Sequence, residues 1–261
     1  MAERSTLASP ATDSRVRTSA WVVTAVILAV LLVDQIIKIW VKTSFYMGED
    51  LPITSWWHLK FIENNGMAFG MELWNKLVLT FGRIIVVGLL IWCLVKMVRM
   101  DGLRRGFLVS VALIAAGAAG NIFDCVFYGV IFNDPFPPET AQLFPPDGGY
   151  STWFEGRVVD MMYFPLFDFV WPDWMPFVGG KYYEFFAYIF NVADAAICVG
   201  VAMLILFYSR DTGVAYAILT NGKGVDKVEK VEKVKRIPYI PINTPLSKLL
   251  KLCKHYLLLI L

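Results

Sequence analysis

Along this chain the apolar positions gather into four long runs, separated by mixed or polar stretches. The first starts at Ala20, behind a polar leader with Arg4, Arg15 and Arg17, and continues past Asp34 to about Trp40. The others cover about 77–95, 107–123 and 185–208. A helix needs about 20 residues to cross the hydrocarbon core, so the pattern predicts four transmembrane helices. The leader looks like the basic flank of a signal peptide. No small-residue cleavage site closes the run behind it, so the run reads as an uncleaved first span.

From 43 to 75 the long apolar periodicity is lost. Trp57 to Ile62 alternates as a strand does, and Trp56, Trp57, Phe61 and Trp74 suit an aromatic belt at the membrane surface. Residues 133–181 form a long connection rich in Pro, Gly and aromatics, a kind of loop that is often functional. The fold class that follows is an all-α polytopic membrane protein with four transmembrane helices, a small β-rich extracytoplasmic element and a long loop between spans three and four. Its domains are a cytoplasmic N-terminal segment (1–19), a four-span domain (20–208) with loops 43–75 and 133–181 on the opposite side of the membrane, and a cytoplasmic tail (209–261). The tail alternates charge from Lys227 to Lys235 and closes on an apolar run, Leu257 to Leu261, that is too short to span.

Composition agrees with a membrane class: 57% of residues are hydrophobic and 18% charged, against roughly 45–50% and 25% in soluble domains. Charge placement then orients the chain. Three Lys/Arg precede the first span, four lie between spans two and three, and ten follow Tyr208, whereas the two opposite connections share five over a greater length. The positive-inside rule puts both termini in the cytoplasm. Four cysteines without CxxC spacing read as buried thiols, and two histidines without an HExxH pattern argue against zinc hydrolysis and histidine triads. No metal, organic cofactor or nucleic-acid partner is implied.

Several polar residues interrupt the apolar runs. A carboxylate in a span costs roughly 2.5–3.5 kcal/mol to insert and is normally paired, hydrated or used. Asp34 and Lys38, four apart, are spaced to pair on one helix face, with Lys38 snorkelling toward the far interface. Asp124, Asp160 and Asp194 lie near the non-cytoplasmic ends of the last two spans, and Asn121 and Asn191 each precede an aspartate by three. On a continuous fourth helix Asn191 and Asp194 share a face, and Asp194 lies roughly 13 Å inside the span. Asp160 then reaches inward from its loop on the apolar stretch 158–163. Two carboxylates in a poorly hydrated site share one proton, a state suited to amide hydrolysis. On spacing alone each aspartate reads equally well as a structural partner or as part of an ion path.

Five stretches change that balance: Asp34-x-x-x-Lys38, Asn64-x-Gly66-x-Ala68-Phe69, Gly117-x-x-Gly120-Asn121-x-x-Asp124, Gly156-x-Val158-x-Asp160 and Phe190-Asn191-x-Ala193-Asp194. In this order they resemble the lipoprotein signal peptidase (signal peptidase II) family of aspartic peptidases. The resemblance implies a bacterial inner-membrane endopeptidase with its active site toward the periplasmic face. It implies diacylglyceryl-modified prolipoproteins as substrates, cut just before the lipidated Cys. It also implies a catalytic pair of Asp160 and Asp194; the chain is expected to be a monomer, with membrane lipid as its other partner. Asn64, Gly66, Asn121 and Asn191 then line or brace the site, and Asp34, Lys38 and Asp124 are structural. Two departures stand out. Cys125 occupies a usual arginine position, and about two dozen residues (131–156) stand as an insertion before the Gly-x-Val-x-Asp match is completed at Asp160. Asp134 competes for the role of Asp160 but lacks the preceding Val-x and is followed by Pro135. The readings from other classes are a proton-coupled transporter, against which no internal repeat appears, and an inactive membrane scaffold.

Overall fold

The computed structural model describes residues 10–65 and 76–221. Gly66, Trp74 and the tail beyond 221 lie outside these described residues. The elements run α1 (Pro10–Ser44), β1 (Asp50–Pro52), β2 (His58–Asn64), α2 (Lys76–Val98), α3 (Arg105–Ile131), β3 (Val158–Tyr163), β4 (Phe167–Val170), β5 (Tyr182–Phe185), β6 (Ile189–Phe190), α4 (Val192–Phe207) and α5 (Ser209–Asn221). Three helices, Asp13–Ser44, Lys76–Val98 and Arg105–Ile131, are long and apolar enough to cross a membrane. A fourth crossing qualifies only if α4 and α5, bent by 94° at their junction, are taken together.

Three features differ from the sequence-based expectation. The fourth helix begins at Val192 rather than 185, because the aromatic residues before it are spent on strands β5 and β6. Aromatic residues favour a pleated, half-buried surface, and an apolar run alone does not separate that from helix. The β element is also larger than a surface appendage of 43–75. Its four strands, in the order β1-β2-β3-β6, are all antiparallel and draw on both long connections. β4 and β5 form a separate hairpin. The loop from 133 to 181 therefore carries two strands of its own, and α3 runs on to Ile131, so that Asp124 sits within the helix.

Among the described residues the chain forms two compact units. The first holds residues 10–31, 85–118 and 196–221. Its core is apolar, built from Leu94, Val98, Phe107, Leu108, Val111, Ala112, Val214 and Ala215. Gly200 lets the helix backbones close: a Cβ there would lie 2.6 Å from the Ser110 carbonyl oxygen. Arg104 holds the α4–α5 bend by donating to Asp211 (2.6 and 2.9 Å) and to the Phe207 carbonyl (2.6 Å).

The second unit holds residues 32–65, 76–84 and 119–195. Val41, Phe45, Phe61, Tyr128, Phe132, Val159 and Met161 make its apolar core. The chain leaves α1 through a turn in which Gly48 takes φ +90° and donates to the Phe61 carbonyl (2.9 Å). That left-handed conformation is the one glycine adopts without steric cost. The turn delivers β1 to β2, with Leu51 opposite Leu59. In β3 the first four residues are all buried, so this strand is covered on both faces.

Candidate active site

The N-terminus of α4 is the junction of the site, and its backbone explains why. The first N–H groups of a helix have no intrahelical acceptor and need one from elsewhere. Asn191 is the N-cap: its carbonyl accepts the first helical bond from Ala195 N (3.1 Å), and its Oδ1 accepts from Asp194 N (2.9 Å). Asp194 reciprocates, accepting from Asn191 N at 3.3 Å. This is a capping box with Asn and Asp in place of the usual Ser/Thr and Glu. The second orphan donor, Ala193 N, goes to Asp34 Oδ1 of α1 (2.9 Å). A carboxylate at this end also meets the positive pole of the helix.

The same contacts correct two expectations. Asn191 and Asp194 do not share a helix face, since Asn191 stands outside the helix as its cap. Nor does Asp194 lie nine residues into a span, since it belongs to the first turn of α4.

Asp160 is the third residue of β3, opposite Ile62 of β2. It is 4% exposed. Asn191 Nδ2 donates to its Oδ1 (2.7 Å), to the Val159 carbonyl (3.2 Å) and to Asn121 Oδ1 (3.2 Å). Asn121 of α3 donates in turn to Asp194 Oδ1 (2.8 Å). The two aspartates are thus tied together through a pair of asparagines, which the x-x spacing in sequence does not reveal. Asn121 serves Asp194, far away in the chain, rather than the nearby Asp124. Burial, and after it the charge of Asp194, pushes the Asp160 carboxyl well above the usual carboxylate range.

Beneath this pair lies a buried ionic cluster. Lys38 Nζ contacts Asp124 Oδ2 (2.7 Å), Asp34 Oδ2 (3.0 Å) and Asn121 Oδ1 (2.9 Å), and all three charged side chains are fully buried. Lys38 therefore does not snorkel. Three acceptors inside the protein use all three of its N–H donors. Gln35 and Tyr128 complete the cluster: Gln35 Nε2 donates to Asp124 Oδ1 (2.8 Å), and Tyr128 donates to Gln35 Oε1 (3.0 Å). Gly120 gives the cluster room, since a Cβ there would come within 2.8 Å of Asp34 Oδ2.

Of the residues singled out in the sequence, Asp34, Lys38, Asn121, Asp124, Asp160, Asn191 and Asp194 converge in this one unit. Asn64 ends β2 opposite Val158. Asp134 sits apart, 41% exposed, with Arg157 as its partner at 2.9 Å. Cys125, at the usual arginine position, is buried with Arg83 Nη1 3.9 Å from its sulfur. Gln35, Tyr128, Lys42 and Glu63 went unremarked in the sequence. A polar residue beside Asp34 in an apolar run was the available signal for Gln35.

A model of the signal peptidase (SPase) II family matches residues 26–223. A lipoprotein signal peptidase of Porphyromonas gingivalis is 48% identical over 202 residues, spanning 77% of this chain and 87% of its own. That of Amoebophilus asiaticus is 33% identical over 192 residues, 71% of this chain and 77% of its own. A solved bacterial membrane enzyme aligns with a TM-score of 0.49 at 22% identity, over 78% of this chain and 93% of that one. With aspartates, asparagines and lysine of the five sequence stretches gathered in one unit, and a family model spanning most of the chain, this protein belongs to the signal peptidase II family of peptidases.

Proposed function

We propose that Asp160 and Asp194 are the catalytic pair of a membrane endopeptidase that removes signal peptides from diacylglyceryl-modified prolipoproteins, cutting just before the lipidated Cys. The observation that carries the assignment is the bridge between them: Asn191 donates to Asp160 while capping the helix turn that holds Asp194. The pair shares one proton and titrates as a unit. The ionised carboxylate takes a proton from water as the water oxygen attacks the scissile carbonyl, and the protonated carboxyl donates to the carbonyl oxygen. Collapse of the tetrahedral adduct breaks the C–N bond, and the proton taken from water passes to the departing amine. Asp124 is a structural acid, since Lys38 and Gln35 occupy its oxygens.

In this reading the protein crosses the bacterial inner membrane four times, with α4 and the bend into α5 as the last crossing. Both termini are cytoplasmic, as the excess of Lys/Arg in the tail and short loop supports. The 16 residues of α4 extend about 24 Å, less than the roughly 30 Å hydrocarbon core. Asp194 at its start therefore works near the periplasmic edge, where a diacylglyceryl group stays in lipid while the peptide reaches the site. Trp56 and Trp57 stack on Phe164 at 6.2 and 6.3 Å, and Phe164 on Phe190 at 5.5 Å. This aromatic row leads to Asn191 and suits a peptide clamp. The enzyme acts as a monomer.

The test is cleavage of a diacylglyceryl-modified prolipoprotein by purified wild type, Asp160→Asn, Asp194→Asn and Asp124→Asn. Activity is expected to vanish in the first two variants with folding intact, and to persist in part in the third. Full activity in either of the first two would overturn the pair, and folded but inactive wild type would favour a scaffold.

A further inference from the structure

Between Asp124 and Asp160 the chain makes a detour, residues 131–156, that the catalytic assignment leaves without a task. Its return path is closely fitted to the end of α3. Tyr150 N donates to the Phe132 carbonyl (2.9 Å), Ser151 N to Gly129 (2.9 Å), Phe154 N to Val126 (3.2 Å) and Gly156 N to Cys125 (2.8 Å). Thr80 of α2 donates to the Phe154 carbonyl (3.0 Å), and the rings of Phe81 and Phe154 stack at 4.9 Å. A Cβ at Gly156 would collide with the Asp124 carbonyl oxygen and one at Gly129 with that of Thr152. The segment is held by backbone on backbone, and only then does the chain enter β3.

The next residue is Arg157. Its N–H donates to Tyr150 Oη (2.6 Å), and its guanidinium lies 4.7 Å from the Tyr150 ring centre. Its Nη1 reaches Glu63 Oε2 (3.0 Å) and Asp134 Oδ2 (2.9 Å). Glu63 is buried, pairs also with Lys42 of α1, and stands opposite Val159 in the β2–β3 register. Lys42 in turn lies over the Phe132 and Tyr150 rings, 5.2 Å from each centre. Lys42, Glu63, Arg157 and Asp134 thus form one ionic chain from α1 through β2 to the detour, and its third link, Arg157, directly precedes β3 and lies three residues before Asp160.

We propose that Arg157, anchored by Asp134 of the detour and by Glu63, is a positioning residue that fixes the register of β3 and with it the placement of the Asp160 carboxylate. A one-residue slip in a strand turns every side chain to the opposite face, so a strand carrying a reacting group needs such a pin. The proposal rests on Asp160 and Asp194 being the catalytic pair. Burial first raises the Asp160 carboxyl, and the groups that act on it besides are Asp194 on α4, Lys38 on α1, Asp124 on α3 and the Asn191 amide. None of them belongs to the Arg157 chain, so Arg157 acts on Asp160 through strand position and burial.

The test compares Arg157→Met, Arg157→Lys and Asp134→Asn in the full chain, measuring kcat, KM and the pH profile of kcat on a diacylglyceryl-modified prolipopeptide. For Arg157→Met kcat should fall about 10- to 100-fold, the scale of a reacting group misplaced by a distant change. KM should stay within about 2-fold, since the ground-state contacts are kept. The alkaline limb should move to lower pH as Asp160 becomes better hydrated. Arg157→Lys, which keeps the charge but loses the fork, should recover part of kcat and of the limb. Arg157→Met with wild-type kcat and limb would overturn the inference, even if its melting temperature dropped. Should Arg157→Met fail to fold, Asp134→Asn decides: a several-fold loss of kcat with the same limb shift supports the role, and a wild-type profile overturns it. An active Asp160→Asn would defeat the catalytic pair itself, a separate outcome.

Discussion

Asn191 performs two jobs with one side chain, and they can be separated. Its Oδ1 caps α4 through Asp194 N, while its Nδ2 donates to Asp160. Serine caps a helix about as well as asparagine but brings no amide donor. Asn191→Ser therefore removes the bond to Asp160 and keeps the cap, whereas Asn191→Ala removes both. A buried hydrogen bond to a charged group is worth about 1.5–3 kcal/mol, and a cap about 1 kcal/mol. If the donor holds Asp160 for reaction, kcat should fall by about 10- to 150-fold in both variants, since 1.36 kcal/mol corresponds to a factor of ten. Thermal or denaturant unfolding in detergent should then place Asn191→Ala about 1 kcal/mol below Asn191→Ser. Wild-type kcat in Asn191→Ser would refute the role assigned to Nδ2. Equal stabilities of the two variants would refute the capping role.

Three further outcomes follow from the buried charges and the tight turns. The Asp160 carboxyl is raised by burial first and by Asp194 second, so its stabilising contribution is fully present below the ordinary carboxylate pKa of about 3.9. That contribution is lost as pH rises through the raised value. Melting temperature against pH should accordingly slope less in Asp160→Asn than in wild type, and identical slopes would contradict the burial argument. Lys38→Met leaves Asp34 and Asp124 buried without their shared cation and should cost about 3–5 kcal/mol, read as loss of folded protein by size-exclusion chromatography. An unchanged yield and melting temperature would contradict the cluster. Gly156→Ala forces a methyl against the α3 backbone and should cost at least about 1–3 kcal/mol as overpacking, measured by the same unfolding assay, with wild-type stability the contrary result.

The helices were legible because their apolar runs are long and their polar interruptions few. Asp34, Lys38, Asn121, Asp124, Asp160, Asn191 and Asp194 all stood out as polar residues in apolar surroundings or within the five stretches, and the structure gathers them. What sequence spacing misjudged was pairing across the chain. Asn-x-x-Asp spacing ties Asn191 to its own aspartate through the capping box, yet the Asn191 amide donates to Asp160 and Asn121 donates to Asp194 rather than to Asp124. Tertiary proximity chose these partners, and a helical period cannot express it. The start of α4 was missed for a local reason: Phe185 to Phe190 is as apolar as a span, and only the capping box at Asn191 marks the boundary. The ionic chain through Arg157 was hidden because Lys42, Glu63 and Asp134 come from three separate segments.

Strands β3 and β6 are joined by two pairs, Met162 with Phe190 and Tyr163 with Ile189. Those pairs close off residues 164–188, including the β4–β5 hairpin, as a loop whose two ends meet between Asp160 and Asn191. Doubling the length of a flexible closed loop adds only about 0.6 kcal/mol of closure entropy. The hairpin is therefore an exchangeable part: it can be trimmed, extended or carry an inserted label while the stem keeps both aspartates at their stations.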